Sequence, residues 1–170
     1  ADLIVLGGTD RFLCEITVEI FTLNDNSPFD LTLDVYTDCV TNGAANSPCG
    51  NGPGVLIPTA TSTITGIQAP ALGTIFSVSF PFPLVNLGTE VDNTIAVSMH
   101  PSRNNVLWRI DVTPVVGAIP AGEPATSFVE RCGSVGTNNG CSRNFAVQNN
   151  FAMTIEAMTT PVELMGFEVQ

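Results

Sequence analysis

Apolar and polar side chains alternate with a period of two along much of the chain, which is the pattern of β-strands with one buried face. Clusters of Gly, Pro, Asn, Asp and Ser, residues typical of turns, separate the alternating segments. Those segments are 14–20, 31–35, 76–80, 95–99, 106–112 and 151–155, and the turn clusters include 24–28, 50–54, 81–83, 101–105 and 117–122. The 12 prolines and 15 glycines interrupt every window that is long enough for a helix. The sequence therefore predicts an all-β protein, an antiparallel β-sandwich of about ten short strands in jelly-roll or Greek-key order.

Both ends of the chain are apolar, which is unusual because chain ends fray unless something ties them down. The 170 residues contain no linker or repeat, so we predict one β-sandwich domain, 1–170, with apolar terminal strands 2–7 and 161–169. Each terminal strand pairs either within its own sheets or with a neighbouring molecule. The candidate residues for an assembly contact are Leu3, Ile4, Val5 and Leu6 in the first strand and Val162, Leu164, Met165, Phe167 and Val169 in the second.

Composition narrows the class of partner. The chain is 44% hydrophobic but only 12% charged, lacks lysine and carries a net charge of −11. Nucleic-acid phosphates and anionic membranes would be repelled, so neither is an expected partner. No run of 18 apolar residues occurs, and we expect no membrane insertion. The first residue, Ala1, suits a mature N-terminus left by signal cleavage, although a trimmed chain would look the same.

Cysteine spacing indicates an oxidising compartment. Cys39 and Cys49 flank one turn-rich loop, and Cys132 and Cys141 flank another. A disulfide that closes such a loop stabilises the fold by about 3 kcal/mol in the chain-entropy model, so we predict these two pairs. Disulfides persist outside the cytoplasm, which predicts an extracellular or cell-surface location. The fifth cysteine, Cys14, alternates with polar residues and is interpreted as a buried, inert thiol, with an intermolecular disulfide as the alternative.

The inventory of chemical groups is small, and the sequence predicts no enzyme. His100 is the only histidine and lies in a turn-like setting, so it is interpreted as a surface residue and not as a catalytic base. The Asx-rich stretch 24–30 resembles a loop of oxygen ligands, and Asp25 and Asp30 are candidate calcium ligands. An ordinary Asx turn is the alternative explanation. No other cofactor is expected.

Several segments resemble a known group of proteins. They are 29–38, 53–58, 74–80, 105–109, 143–147 and 151–155, together with the closing segment 161–167. In this order they look like the β-sandwich domains of exported bacterial surface and matrix proteins, including those that carry PEP-CTERM-type sorting tails. The resemblance implies a role in the cell envelope or extracellular matrix and no defined enzymatic activity.

Together these features predict a non-enzymatic extracellular structural protein. It would be a subunit of a self-assembling filament or surface layer, with its own copies as partners, joined head to tail by strand exchange. The alternative is a secreted glycan-binding or adhesive β-sandwich module. Its glycan partner would need exposed aromatic rings, with Tyr36 and Trp108 as candidates, although Trp108 also shares a strand face with the apolar Val106 and Ile110.

Overall fold

The computed structural model describes residues 2–6, 10–37, 55–88, 94–111, 128–130, 142–144 and 150–158. These parts of the chain contain strands and no helix, which confirms the prediction of an all-β protein. Accordingly, no helix within them is long and apolar enough to cross a membrane. The strands are β1 (Asp2–Val5), β2 (Phe12–Thr22), β3 (Phe29–Thr37), β4 (Leu56–Ile67), β5 (Phe76–Asn86), β6 (Thr94–Pro101), β7 (Val106–Trp108), β8 (Ile110–Asp111), β9 (Phe128–Glu130), β10 (Ser142–Asn144), β11 (Asn150–Phe151) and β12 (Met153–Met158).

Two antiparallel sheets form the architecture, consistent with a β-sandwich. Sheet A has the order β1-β6-β3-β4, and sheet B has the order β12-β2-β5, with β7 also paired to β2. Strand β4 lies beside β5, so these two edge strands form one side of the sandwich. Two short pairs, β8 with β11 and β9 with β10, complete the described strands. Within these described ranges only seven strands reach four residues, so the prediction of about ten short strands is wrong.

The core lies between the two sheets and follows the period-two pattern. On β2 the side chains of Ile16, Val18 and Ile20 are fully buried. On β3 alternate residues from Phe29 to Val35 are buried in the same way. Both sets belong to one hydrophobic cluster, to which β4, β5, β6 and β7 also contribute. A single core shared by both sheets is what a two-layer domain requires; the extent of that domain over 1–170 stays a prediction.

The start of β2 departs from simple alternation, and this corrects the prediction for Cys14. Glu15 pairs with Glu156 of β12, but Ala157 pairs with Leu13, so Cys14 is the extra residue of a β-bulge. The bulge places Leu13, fully buried, on the core face. Cys14 is only half-buried and is a free thiol. Alternation alone predicted that Cys14 would be buried, but its neighbour Leu13 occupies the core position.

This bulge can be tested by a pair of substitutions. We expect Leu13→Ala to lower the free energy of unfolding by about 2–5 kcal/mol, because it empties a buried site. Cys14→Ala should change it by less than about 1 kcal/mol, because a half-buried side chain loses few contacts. Urea unfolding followed by circular dichroism measures both values. Equal losses at the two positions would contradict the bulge.

Strand β5 continues through a segment that was predicted to be a turn. Residues 81–83 carry two prolines, yet β5 runs from Phe76 to Asn86 without a break. Prolines are tolerated here because β5 is an edge strand, whose outer N–H groups have no partner to lose. The reversal of the chain therefore comes after this segment, and one long strand replaces two short ones.

Candidate functional site

Three turns meet at the end of the sandwich where β2 finishes. We call residues 23–28, 68–75 and 102–105 together the three-loop end. Backbone hydrogen bonds anchor two of the turns: the Leu23 N–H donates to the Asn105 carbonyl at 2.9 Å, and the Gly73 N–H donates to the Thr22 carbonyl at 2.8 Å. Binding surfaces of β-sandwiches are commonly built from loops gathered at one end, so the three-loop end is a candidate binding surface.

The side chain of Asn26 joins two of these turns. Its Nδ2 donates to the Ala69 carbonyl at 3.1 Å, and its Oδ1 accepts from the buried Thr22 hydroxyl at 3.2 Å. The Asn26 carbonyl accepts from the Gln68 side-chain amide. Sequence reasoning missed this role, because the Asn-rich composition signals a turn but does not reveal which other turn it will contact.

Arg103 joins the remaining turn to the first. Its guanidinium forms an ion pair with Asp25 and donates to the Ser27 carbonyl. Asn105 adds a bond from its Nδ2 to the Asp25 carbonyl at 2.8 Å. These contacts hold the three turns as one unit, whereas loops at a surface are usually mobile. The signal in the sequence was a lone arginine in one turn cluster and an aspartate in another.

Exposed apolar side chains occupy this same end. Leu23 is 40% exposed, Leu72 is 53% exposed and Ile75 is 49% exposed, and all three lie in or beside the three-loop end. Single exposed apolar residues are common on protein surfaces, but several of them at one end are typical of a contact surface. The exposed apolar side chains make this end a candidate binding surface.

The candidate calcium ligands, Asp25 and Asp30, have different hydrogen-bond partners. Asp25 accepts from the backbone N–H and the hydroxyl of Ser27, at 2.8 and 2.7 Å, and its cationic partner is Arg103. Asp30 instead accepts from the backbone N–H of Gly66 at 2.9 Å. Among the residues that the structure describes, no three His, Cys, Asp or Glu side chains cluster as a metal site would need. The geometry of Asp25 is that of an Asx turn, the alternative explanation.

Trp108 lies in the core, which removes it from the glycan alternative. It is 7% exposed and stacks on Phe151, with the ring centroids 4.7 Å apart and the planes inclined by 13°. Its indole Nε1 donates to the Ala152 carbonyl at 3.0 Å. A ring covered in this way cannot receive a sugar. The other candidate, Tyr36, is half-buried and in register with Ala96 of β6.

The contact of Trp108 with Ala152 belongs to a strand junction on β2. Three backbone bonds close a ring: Arg109 N–H to the Glu19 carbonyl, Ala152 N–H to the Arg109 carbonyl, and Glu19 N–H to the Ala152 carbonyl. At this ring the partner of β2 changes from β7 to β12. The predicted strands 106–112 and 151–155 are each interrupted here, because one edge of β2 cannot pair with both strands at the same residue.

His100 lies on the outer face of sheet A. Its Nε2 is 3.2 Å from the Asp34 carboxylate, and its side chain is 53% exposed. The Thr61 hydroxyl donates to the other oxygen of Asp34 at 2.6 Å. In a catalytic triad the imidazole stands between hydroxyl and carboxylate, whereas in these contacts the carboxylate stands between the other two. This order does not activate the hydroxyl.

The N-terminal strand is paired within its own chain. β1 is antiparallel to β6, with Leu3 opposite Ala96 and Ile4 opposite Ile95. Ile4 and Leu6 are half-buried and pack against the core. β1 is thus a short edge strand of sheet A, four residues long, compared with the predicted 2–7. The remaining predicted sites, namely the disulfide pairs Cys39–Cys49 and Cys132–Cys141 and the C-terminal strand 161–169, lie outside the described residues.

No protein-family model matches this sequence, and neither a curated protein nor a solved structure matches the chain.

Proposed function

We propose that this protein is a non-enzymatic structural subunit that assembles with its own copies by exchange of the N-terminal strand. The observation that carries the proposal is the position of β1 at the edge of sheet A, where β6 is its strand partner. A strand held at an edge can leave without breaking the remaining ladders. The β1 of one subunit can then occupy the same register on the β6 of the next, with the same hydrogen bonds.

The energy that holds β1 in its own subunit is small. Burying part of Ile4 and Leu6 contributes about 2–4 kcal/mol together, and a ladder of about four bonds adds about 2–6 kcal/mol. Ordering about five residues costs about 5–10 kcal/mol. Because these terms nearly cancel, exchange between subunits costs little, and assembly then depends on protein concentration.

Direct measurement of particle size tests this proposal. We expect the intact protein to form linear assemblies whose mean length grows with concentration, as a head-to-tail contact that does not close would produce. Sedimentation velocity over a range of concentrations, with electron microscopy of the largest species, gives the size and shape. A monomer at every concentration would contradict the proposal.

The alternative proposal is a secreted adhesive or glycan-binding module, and the three-loop end is the observation that favours it. Its rigid turns carry Leu23, Leu72 and Ile75 at the surface, where another molecule could bind. Extracellular location, the two predicted disulfides and the resemblance to exported bacterial surface proteins belong to both proposals. A monomeric protein that binds to cells or glycans through this end would favour the alternative.

The finer topology is also part of the proposal. Strands β6, β3, β4 and β5 follow one another in space, with β6 returning beside β3 and β4 lying next to β5. Three consecutive strands followed by a fourth that returns to the first define a Greek key. This order supports a Greek-key sandwich; a jelly roll would contain two such motifs.

A further inference from the structure

The two edge strands on one side of the sandwich each contain a non-glycine residue with a positive φ, which the other strands of the two sheets lack among the described residues. In β4, Pro58 is followed by Thr59 with a φ of 64°, and in β5, Pro81 and Pro83 are followed by Leu84 with a φ of 51°. A positive φ is uncommon for any residue with a side chain, and for a β-branched threonine it is an outlier. Both strands therefore depart from extended geometry at the edge.

Strand register shows that Thr59 and Leu84 each lie in a bulge with more than one extra residue. Between the pairs Asp34–Thr61 and Tyr36–Leu56, β4 contains more residues than β3. Between the pairs Leu13–Val85 and Glu15–Pro81, β5 likewise contains more residues than β2. A bulge bends the strand and increases its twist, so a straight incoming strand cannot align with it.

The prolines act on the same edges. A proline inside a sheet is tolerated where its missing N–H would point away from the partner strand, which places the missing donors on the outer edge. Pro58, Pro81 and Pro83 are all exposed, and each lies in an edge strand. By contrast, β1, at the far edge of sheet A, contains no proline and keeps an unbroken register with β6.

We infer that the side of the sandwich formed by β4 and β5 is closed to strand addition, so that a second copy of this chain can add a strand only elsewhere. Missing donors and bent edges are the means by which soluble β-proteins avoid edge-to-edge pairing. The inference complements the proposed function, because it would direct exchange to the β1 edge and keep a filament from thickening sideways. Closure of β4 and β5 does not itself require that exchange occurs.

The test restores the missing donors on β5 in the full-length chain. The double variant Pro81→Thr/Pro83→Thr adds two backbone N–H groups to the edge. The matched control Ser77→Thr/Ser79→Thr places the same side chain at two exposed positions of the same strand and adds no donor. We expect the proline variant to self-associate about tenfold more tightly than the wild type, because each restored donor contributes about one net hydrogen bond, and the control to match the wild type.

Sedimentation velocity and thioflavin fluorescence measure the association, and circular dichroism checks folding. A folded proline variant with unchanged association would overturn the inference. If that variant does not fold, the Pro58→Thr variant on β4 is measured instead. Unchanged association of the folded Pro58→Thr variant would likewise overturn the inference. The state of the wild type tests the proposed function separately: a monomeric wild type contradicts strand exchange, while the difference between variant and wild type still tests the closed side.

Discussion

Replacing Trp108 by Ala is expected to lower the free energy of unfolding by about 3–5 kcal/mol. The substitution empties a buried site and removes the partner on which Phe151 stacks. It also removes the bond from the indole Nε1 to Ala152, at the point where the strand partner of β2 changes. A domain of this size is stable by about 5–15 kcal/mol, so the variant would keep only part of its stability.

Two control variants separate the contributions. Trp108→Phe retains an aromatic ring for the stack and loses the indole bond; the Ala152 carbonyl still accepts from the Glu19 N–H, so we expect a loss of about 1–2 kcal/mol. Arg109→Ala, next along the chain, breaks a half-exposed ion pair with Glu19, which is worth at most about 1 kcal/mol. Because Trp108 is the only tryptophan, unfolding must be followed by circular dichroism. Similar losses for the Ala and Phe variants would contradict a packing role for the ring.

Deleting residues 1–8 is expected to abolish long assemblies while leaving a folded subunit. The deletion removes β1 and so exposes the edge of β6, but it leaves the residues that fill the centre of the core on β2 and β3. Each subunit becomes less stable, because Ile4 and Leu6 no longer cover the core. With no strand to donate, no subunit can join the next. Electron microscopy and sedimentation velocity measure the assemblies, and circular dichroism measures folding.

A peptide with the sequence of residues 1–8, added to the truncated protein, makes this test sharper. It should bind β6 in the register of β1 and raise the thermal stability, but it should not restore filaments, because it carries no second domain. The same peptide with Ile4→Asp is the control, since a charge opposite Ile95 would be buried without a partner. Filaments formed by the truncated protein alone would show that assembly uses a different contact.

The strand pattern illustrates what can be read from local sequence. Alternation correctly predicted the buried faces of β2 from Ile16 to Ile20 and of β3 from Leu31 to Val35, because the side-chain period of an extended strand is a local property. Turn residues correctly marked the segment after β2. The apolar first residues correctly predicted a strand at the N-terminus, although they did not predict whether it pairs within its own sheets or with a neighbouring molecule.

Strand register and contacts between distant segments could not be predicted from local sequence. The bulge at Cys14 lies where the register of β2 shifts against both β12 and β5, and the core position there is Leu13. The prolines at 81–83 remained inside a strand because β5 lies at an edge, and edge position is a property of the whole sheet. Asp25 was predicted to be a calcium ligand, but its carboxylate forms an ion pair with Arg103, which is far away in the sequence.

The sequence by itself determined that this protein is all-β, which residues of its main strands are buried, and that its N-terminus forms a strand. Only the tertiary structure decided that β1 pairs with β6, that Asn26 and Arg103 join three turns, and that Trp108 fills the core at a strand junction. The physical reason is one of range. Alternation and turn preference depend on residues that are neighbours in the chain. Strand order, bulges and loop contacts instead depend on how segments that are far apart in the sequence pack together.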